Sequence, residues 1–234
     1  MSSLPAISNK VYICGDSFGC ADPEYGVASW TEILANKLPV VNLSRVCASN
    51  LQIALQVDQA IADHADFVIY IATTSTRHDV PWIELSTKKN LLDRFVDLTC
   101  PDDHCDLTSY STRSLDQTTL FNSHQLTMLQ QYHKEFDNLD LSIYLNQNII
   151  EAVLNRLQCS GIDFCFDQGG FEHPKFGGNK KYFSRYDQHR SQINIWDHVV
   201  VGEIKHRPYH HINDAQVHER IAQYYYQRII HDQT

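Results

Sequence analysis

With 234 residues, 43% of them apolar and 20% charged, the chain has the size and composition of one soluble globular domain, and no apolar stretch is long enough to span a bilayer. Its formal net charge of −9, from 28 acidic against 19 basic residues, argues against a nucleic-acid partner, because the summed field repels phosphate. Seven cysteines without a C-x-x-C pair predict a reducing compartment, and a start without an apolar run (MSSLPAISNK) predicts no secretory leader, hence a cytoplasmic location.

Lys10 to Cys14 (KVYIC) is a short apolar run stopped by Gly15-Asp16, the pattern of a strand. Trp30, Ile33, Leu34 and Leu38 fall at helical spacing between Ser29, a good cap, and Pro39. Val40 to Leu43 reads as a second strand. Asn50 to Ala62 reads as a helix with Leu51, Ala54, Leu55, Val57 and Ile61 on one side. Phe67 to Ala72 (FVIYIA) is a continuous apolar run, as expected of a strand buried on both faces. This strand–helix alternation predicts a single α/β domain, a three-layer αβα sandwich with a mostly parallel central sheet.

Residues 76–120 read as an insertion after the third strand, with a helix predicted over Lys88 to Leu98 and a polar stretch around Asp102, Asp103 and His104. Leu141, Leu145, Ile149, Val153 and Leu157 predict a long amphipathic helix, and Ile162 to Phe166 a fourth strand. Residues 167–190 read as loop. Val217, Ile221, Tyr225 and Ile229 form the buried stripe of a final helix from about Asp214 to Ile230. Cys14 and Cys165 lie in buried strands as small hydrophobes.

In an open parallel sheet, reactive groups gather at the carboxyl ends of the strands. The first strand ends in Cys14-Gly15-Asp16-Ser17-Phe18, which presents the Ser17 hydroxyl on a turn leaving the sheet. VYICGDSFG resembles the first block of the SGNH (GDSL-type) hydrolases, whose serine sits in GDS directly after the first strand. Val41 to Ser44 with Cys47 to Asn50 resembles the second block, FVIYIATTS (67–75) the third, and HINDAQVHERIA (211–222) the last. The resemblance implies a flavodoxin-like SGNH fold and a serine ester hydrolase needing no cofactor and no metal.

On that resemblance Ser17 attacks a small acyl or acetyl ester, or an acylated glycan. His211 is the general base, with His210 as the alternative. The oxyanion is held by the amide of Ser17, the amide of Cys47 (where the family has glycine) and the hydroxyl of Thr74 (where the family has asparagine). The family's aspartate three residues before the histidine is missing: Pro208 and Arg207 stand there. Asp197, Glu203 and Asp214 are the candidate orienting acids.

Other constellations are weaker. The Asp102–Asp106 loop and the 206–211 histidines lack a recognised metal spacing. Gly169-Gly170 and Gly177-Gly178 lack a phosphate-cradle continuation. Tyr224-Tyr225-Tyr226 predicts at least one exposed ring, and the insertion and the last helix are the surfaces for a protein partner or a second copy. The competing reading keeps the fold as a catalytically impaired binding or structural module; the chain is similar to SGNH-like proteins encoded by tailed bacteriophages, some of them virion-associated. Acyl transfer to an alcohol is a third, since it shares the acyl-enzyme.

Overall fold

The apolar runs of the N-terminal third become neighbouring strands of one parallel sheet in a computed structural model of the chain. The structure describes residues 10–21, 26–46, 48–81, 107–111, 123–136, 138–171, 182–204 and 207–231. Strands β1 (Val11–Cys14), β2 (Val40–Asn42) and β3 (Phe67–Ile71) are short; β1 and β3 are buried along their whole length, as central parallel strands are, whereas β2, at the edge, is half-buried to exposed. β4 (Arg77–Pro81) and β5 (Leu107–Ser111) pair antiparallel as a separate two-stranded sheet, within the segment read as an insertion. The rest of that segment, with the helix expected over Lys88 to Leu98, lies outside the described residues.

β6 (Asp163–Asp167) completes the main sheet, whose order is β2-β1-β3-β6, all parallel. Helix α1 (Trp30–Ala35) joins β1 to β2, and α2 (Asn50–Ala62) joins β2 to β3. α3 (Ser123–Phe136) and α4 (Leu139–Ser160) precede β6. A second antiparallel pair, β7 (Val200–Ile204) and β8 (Arg207–His211), leads into α5 (Ala215–His231).

The strands' two-residue period divides the core into two faces. Tyr12, Cys14, Val68, Tyr70, Phe164 and Phe166 pack with α2 and α4. Val11, Ile13, Phe67, Ile69, Ile71 and Cys165 pack with α1 and α5. This is the expected three-layer α/β sandwich. The thiols of Cys14 and Cys165 are fully buried, and burial pushes the Cys14 thiol well above its ordinary range.

Local chemistry fixes the helix ends. Ser29 and Glu32 form a reciprocal capping box at α1, Ser49 accepts from the Gln52 amide at α2, and Gly161 ends α4 in the left-handed conformation.

Several sequence expectations need correction. The buried face of α2 is Ile53, Ala54, Val57 and Ala60, with Gln52 and Gln56 beside them, whereas Leu51 and Leu55 are half-buried. In α4 the stripe runs through Asn146, Ile150, Val153, Leu154 and Leu157, leaving Leu141 and Leu145 about half exposed at 52% and 51%. Residues 167–190 are more than loop, since a 3-10 turn spans Ser184–His189. No ring of the tyrosine run is fully exposed. Tyr225 is buried against Trp30, Tyr224 accepts the Gln192 amide, and Tyr226 lies under the Lys37 ammonium.

Candidate active site at the carboxyl ends of β1 and β3

The strand order reverses direction at β1: β2 lies on one side of it and β3 on the other, so the two crossovers run over opposite faces. The gap at the carboxyl ends of β1 and β3 is the topological switch point, where open α/β sheets bind ligands. Ser17 stands there, first in the single 3-10 turn Ser17–Gly19 and 7% exposed. Among the described residues neither its amide nor its hydroxyl meets a hydrogen-bond partner. A serine with a free amide at a switch point can serve as nucleophile and oxyanion donor together.

The turn is held from below. Asp16, fully buried, accepts the Phe18 amide on Oδ1 at 3.0 Å. Its Oδ2 accepts the Thr73 hydroxyl at 2.6 Å and pairs with Arg77 Nη2 at 3.2 Å. Arg77 also donates from Nη1 to the Ala48 carbonyl at 2.8 Å. One carboxylate–guanidinium pair thus joins the β1 turn, the loop after β3 and the loop before α2. Gln56 grips Gly15 at both backbone atoms, accepting from its amide at 2.7 Å and donating to its carbonyl at 3.2 Å.

The loop after β3 is anchored as thoroughly. Asn50 accepts the Thr73 amide and donates to the Thr73 carbonyl and to Asn146 Oδ1. Asn146 donates in turn to Ser142 and Ser75 carbonyls. A buried polar network of this kind rigidifies when every member is satisfied.

Thr74 is half-buried after β3, its hydroxyl 3.0 Å from that of Thr76 and accepting the Thr76 amide at 3.4 Å. Cys47 lies outside the described residues. His210 and His211 are the last two residues of β8, opposite Val201 and Val200, and their side chains lie outside the described residues. Glu203 is on β7, with its side chain likewise outside them. Asp197 is exposed in the 3-10 turn Ile195–His198. Asp214 caps α5, its Oδ1 accepting the Gln216 amide at 2.8 Å and its carbonyl the amides of Val217 and His218. Ser17 and Thr74 therefore border the same switch point, while Asp214 is committed to a helix start.

A further carboxylate, absent from the sequence expectations, ends β6. Asp167 is 1% exposed and accepts the amides of Gly169 (2.7 Å) and Ile195 (3.0 Å) and, at 3.4 Å, the Tyr225 hydroxyl. Trp196, next to Ile195, packs its ring 4.9 Å from that of Phe18. Burial outweighs the three hydrogen bonds and pushes the Asp167 carboxyl up to about 6.

The native chain therefore holds a proton here that the unfolded chain has released, and this contribution to stability falls as pH rises from about 4 to about 6. Asparagine at 167 would meet the Ile195 amide or the Gly169 amide with a second donor, so Asp167→Asn is destabilising at every pH. The wild type's advantage over that variant is expected to shrink by about 2–3 kcal/mol between pH 4 and pH 7. Urea midpoints of the two proteins at both pH values measure it, and a constant difference contradicts the burial argument.

Arg77, Asn50, Asn146 and Asp167 gave no signal in the sequence because their roles arise from contacts between distant segments. Asp167 at a strand's carboxyl end, followed by Gly169-Gly170, is the one that a search of strand ends could have found. Among the described residues no three metal-ligating side chains converge, and no helix is long and apolar enough to cross a membrane. Comparison with family models, curated proteins and solved structures finds no match to this chain.

Proposed function

We propose that the chain is a serine ester hydrolase of the SGNH kind, cleaving a small acyl or acetyl ester. The observation that carries this reading is Ser17 at the β1–β3 switch point, on a turn held by a buried carboxylate and with its amide unengaged among the described residues. In the reaction Ser17 Oγ attacks the ester carbonyl while His211 accepts the hydroxyl proton. The tetrahedral oxyanion is received by the Ser17 amide, the Cys47 amide and the Thr74 hydroxyl. The imidazolium then protonates the leaving alcohol, and water repeats the sequence on the acyl-enzyme. Thr74 Oγ1 accepts the Thr76 amide, and its proton is available to the oxyanion when the Thr76 hydroxyl is the donor in the contact between the two hydroxyls.

The test is turnover of p-nitrophenyl acetate. Ser17→Ala is expected to fall to the uncatalysed background, and His211→Ala to lose ~10²–10⁴-fold, the usual worth of general base catalysis. Equal activity in the Ser17→Ala protein contradicts the assignment. One observation favours the second reading, an impaired binding or structural module. The commitment of Asp214 to helix capping leaves the histidine without that acid. Inert wild type on small esters, with Ser17 unreactive to a fluorophosphonate, would support it.

A further inference from the structure

His218 is 8% exposed in the first turns of α5, and its two ring nitrogens face two different segments. Nδ1 is 3.1 Å from the backbone amide of Trp30. Nε2 is 3.1 Å from the carbonyl of Ile212, the residue directly after His211. The Trp30 amide is a donor only, so Nδ1 carries no proton. The ring is then neutral with its proton on Nε2, which donates to Ile212. Trp30 is fully buried, and its indole N–H donates at 2.8 Å to the carbonyl of Phe18, the residue directly after Ser17. A continuous buried relay therefore runs from the Ser17 turn through Trp30 and His218 to the end of β8.

We propose that His218 is a positioning residue: its neutral imidazole, bridging Trp30 and Ile212, fixes the strand end that carries His211 against the turn that carries Ser17. This rests on the reading of Ser17 and His211 as nucleophile and base. Protonation breaks the bridge, because an imidazolium would set an Nδ1–H against the Trp30 N–H. Burial lowers the affinity of His218 for a proton below its ordinary value of 6.5, against the opposing pull of the Ile212 carbonyl, Asp214 and Glu32. Asp214 at the start of α5 and Glu32 on α1 are the charged groups that act on the ring. The bridge is therefore complete at neutral pH and lost in acid.

Two arms test this on the full-length chain. In the first, the Trp30 amide and indole resonances are followed from pH 7 to pH 4 in an ¹⁵N-labelled sample. Both are expected to shift with one midpoint below 6.5, shared with the His218 ring. His218→Gln is expected to abolish that shared shift. Trp30 signals that ignore the His218 titration overturn the bridge, whatever the activity.

In the second arm, kcat and KM on p-nitrophenyl acetate are measured per fluorophosphonate-titrated site for wild type, His218→Ala and His218→Gln. Small misplacements of reacting groups are costly, so kcat per site is expected to fall by ~10–100-fold in the alanine variant with KM nearly unchanged. Glutamine restores part of it, because its amide can still donate to Ile212. A merely structural role lowers the number of titratable sites and leaves kcat per site intact, and that result overturns the proposal. An inert wild type that still shows the shared Trp30 titration refutes the catalytic reading of Ser17, and with it the positioning role, while the bridge itself stands.

Discussion

Replacing Asp16 by alanine is expected to destabilise the protein by about 3–5 kcal/mol, the usual consequence of removing one partner of a buried ion pair. The carboxylate is fully buried, and the Arg77 side chain is only 12% exposed. Its loss leaves a desolvated guanidinium without its counter-ion, held by the Ala48 carbonyl, and removes the acceptor that Asp16 gives to the Thr73 hydroxyl and the Phe18 amide. Arg77→Met is expected to be costly for the mirror-image reason, since it leaves a buried carboxylate with, among the described residues, two hydrogen bonds for support. The double variant Asp16→Ala, Arg77→Met removes both charges and is expected to cost less than the sum of the single changes, by about 1–3 kcal/mol. Urea unfolding of the four proteins gives the coupling. Strict additivity would mean that the pair does not join the two loops energetically.

Gly169→Ala is expected to cost about 3–5 kcal/mol, more than any surface glycine. Gly169 sits at a φ of +55°, which for an L side chain costs roughly 1–2 kcal/mol by itself. A Cβ there would also collide with the Ala72 carbonyl oxygen, an atom fixed in the backbone. That carbonyl receives the Gly170 amide, and the Ala72 amide donates to Asp167. The collision can be relieved only by moving the stretch that continues into Thr73 and Thr74, so activity is expected to fall together with stability. Gly161→Ala is the matched control. Its φ is +71°, but nothing lies near its Cβ, so it is expected to lose only about 1–2 kcal/mol. Thermal or urea unfolding of the two variants separates dihedral strain from collision. Equal costs would contradict the account of the Gly169 contact.

The fold was most legible where the sequence was most apolar. VYIC and FVIYI could only be strands buried on both faces, and the stripe Val217, Ile221, Tyr225 and Ile229 is the buried stripe of α5. Polar elements escaped. α3 (SHQLTMLQQYHKEF) mixes its few apolar residues with charges, and β7 and β8 carry a glycine, a proline, two charged side chains and two histidines. The start of α4 misled because Leu141 and Leu145 keep helical spacing although they are half exposed, while Asn146 turns inward to meet Asn50.

The same contrast holds at the site. Ser17 could be read from GDS at the end of a strand. What holds it could not: Arg77 is 61 positions from Asp16, and the His218–Trp30 contact joins residues 188 apart in sequence. A histidine in a chain with thirteen of them gives no sign of such a partner. Nor does the sequence reveal that Asp214 spends its carboxylate on capping α5.

The most direct test of the central claim is reaction of the folded wild-type protein with a fluorophosphonate, read by intact mass and peptide mapping. One adduct per chain, on Ser17, is expected. It should be absent in Ser17→Ala and form much more slowly in His211→Ala. No adduct on folded wild type, or an adduct at another serine, would contradict the assignment of Ser17 as the activated nucleophile.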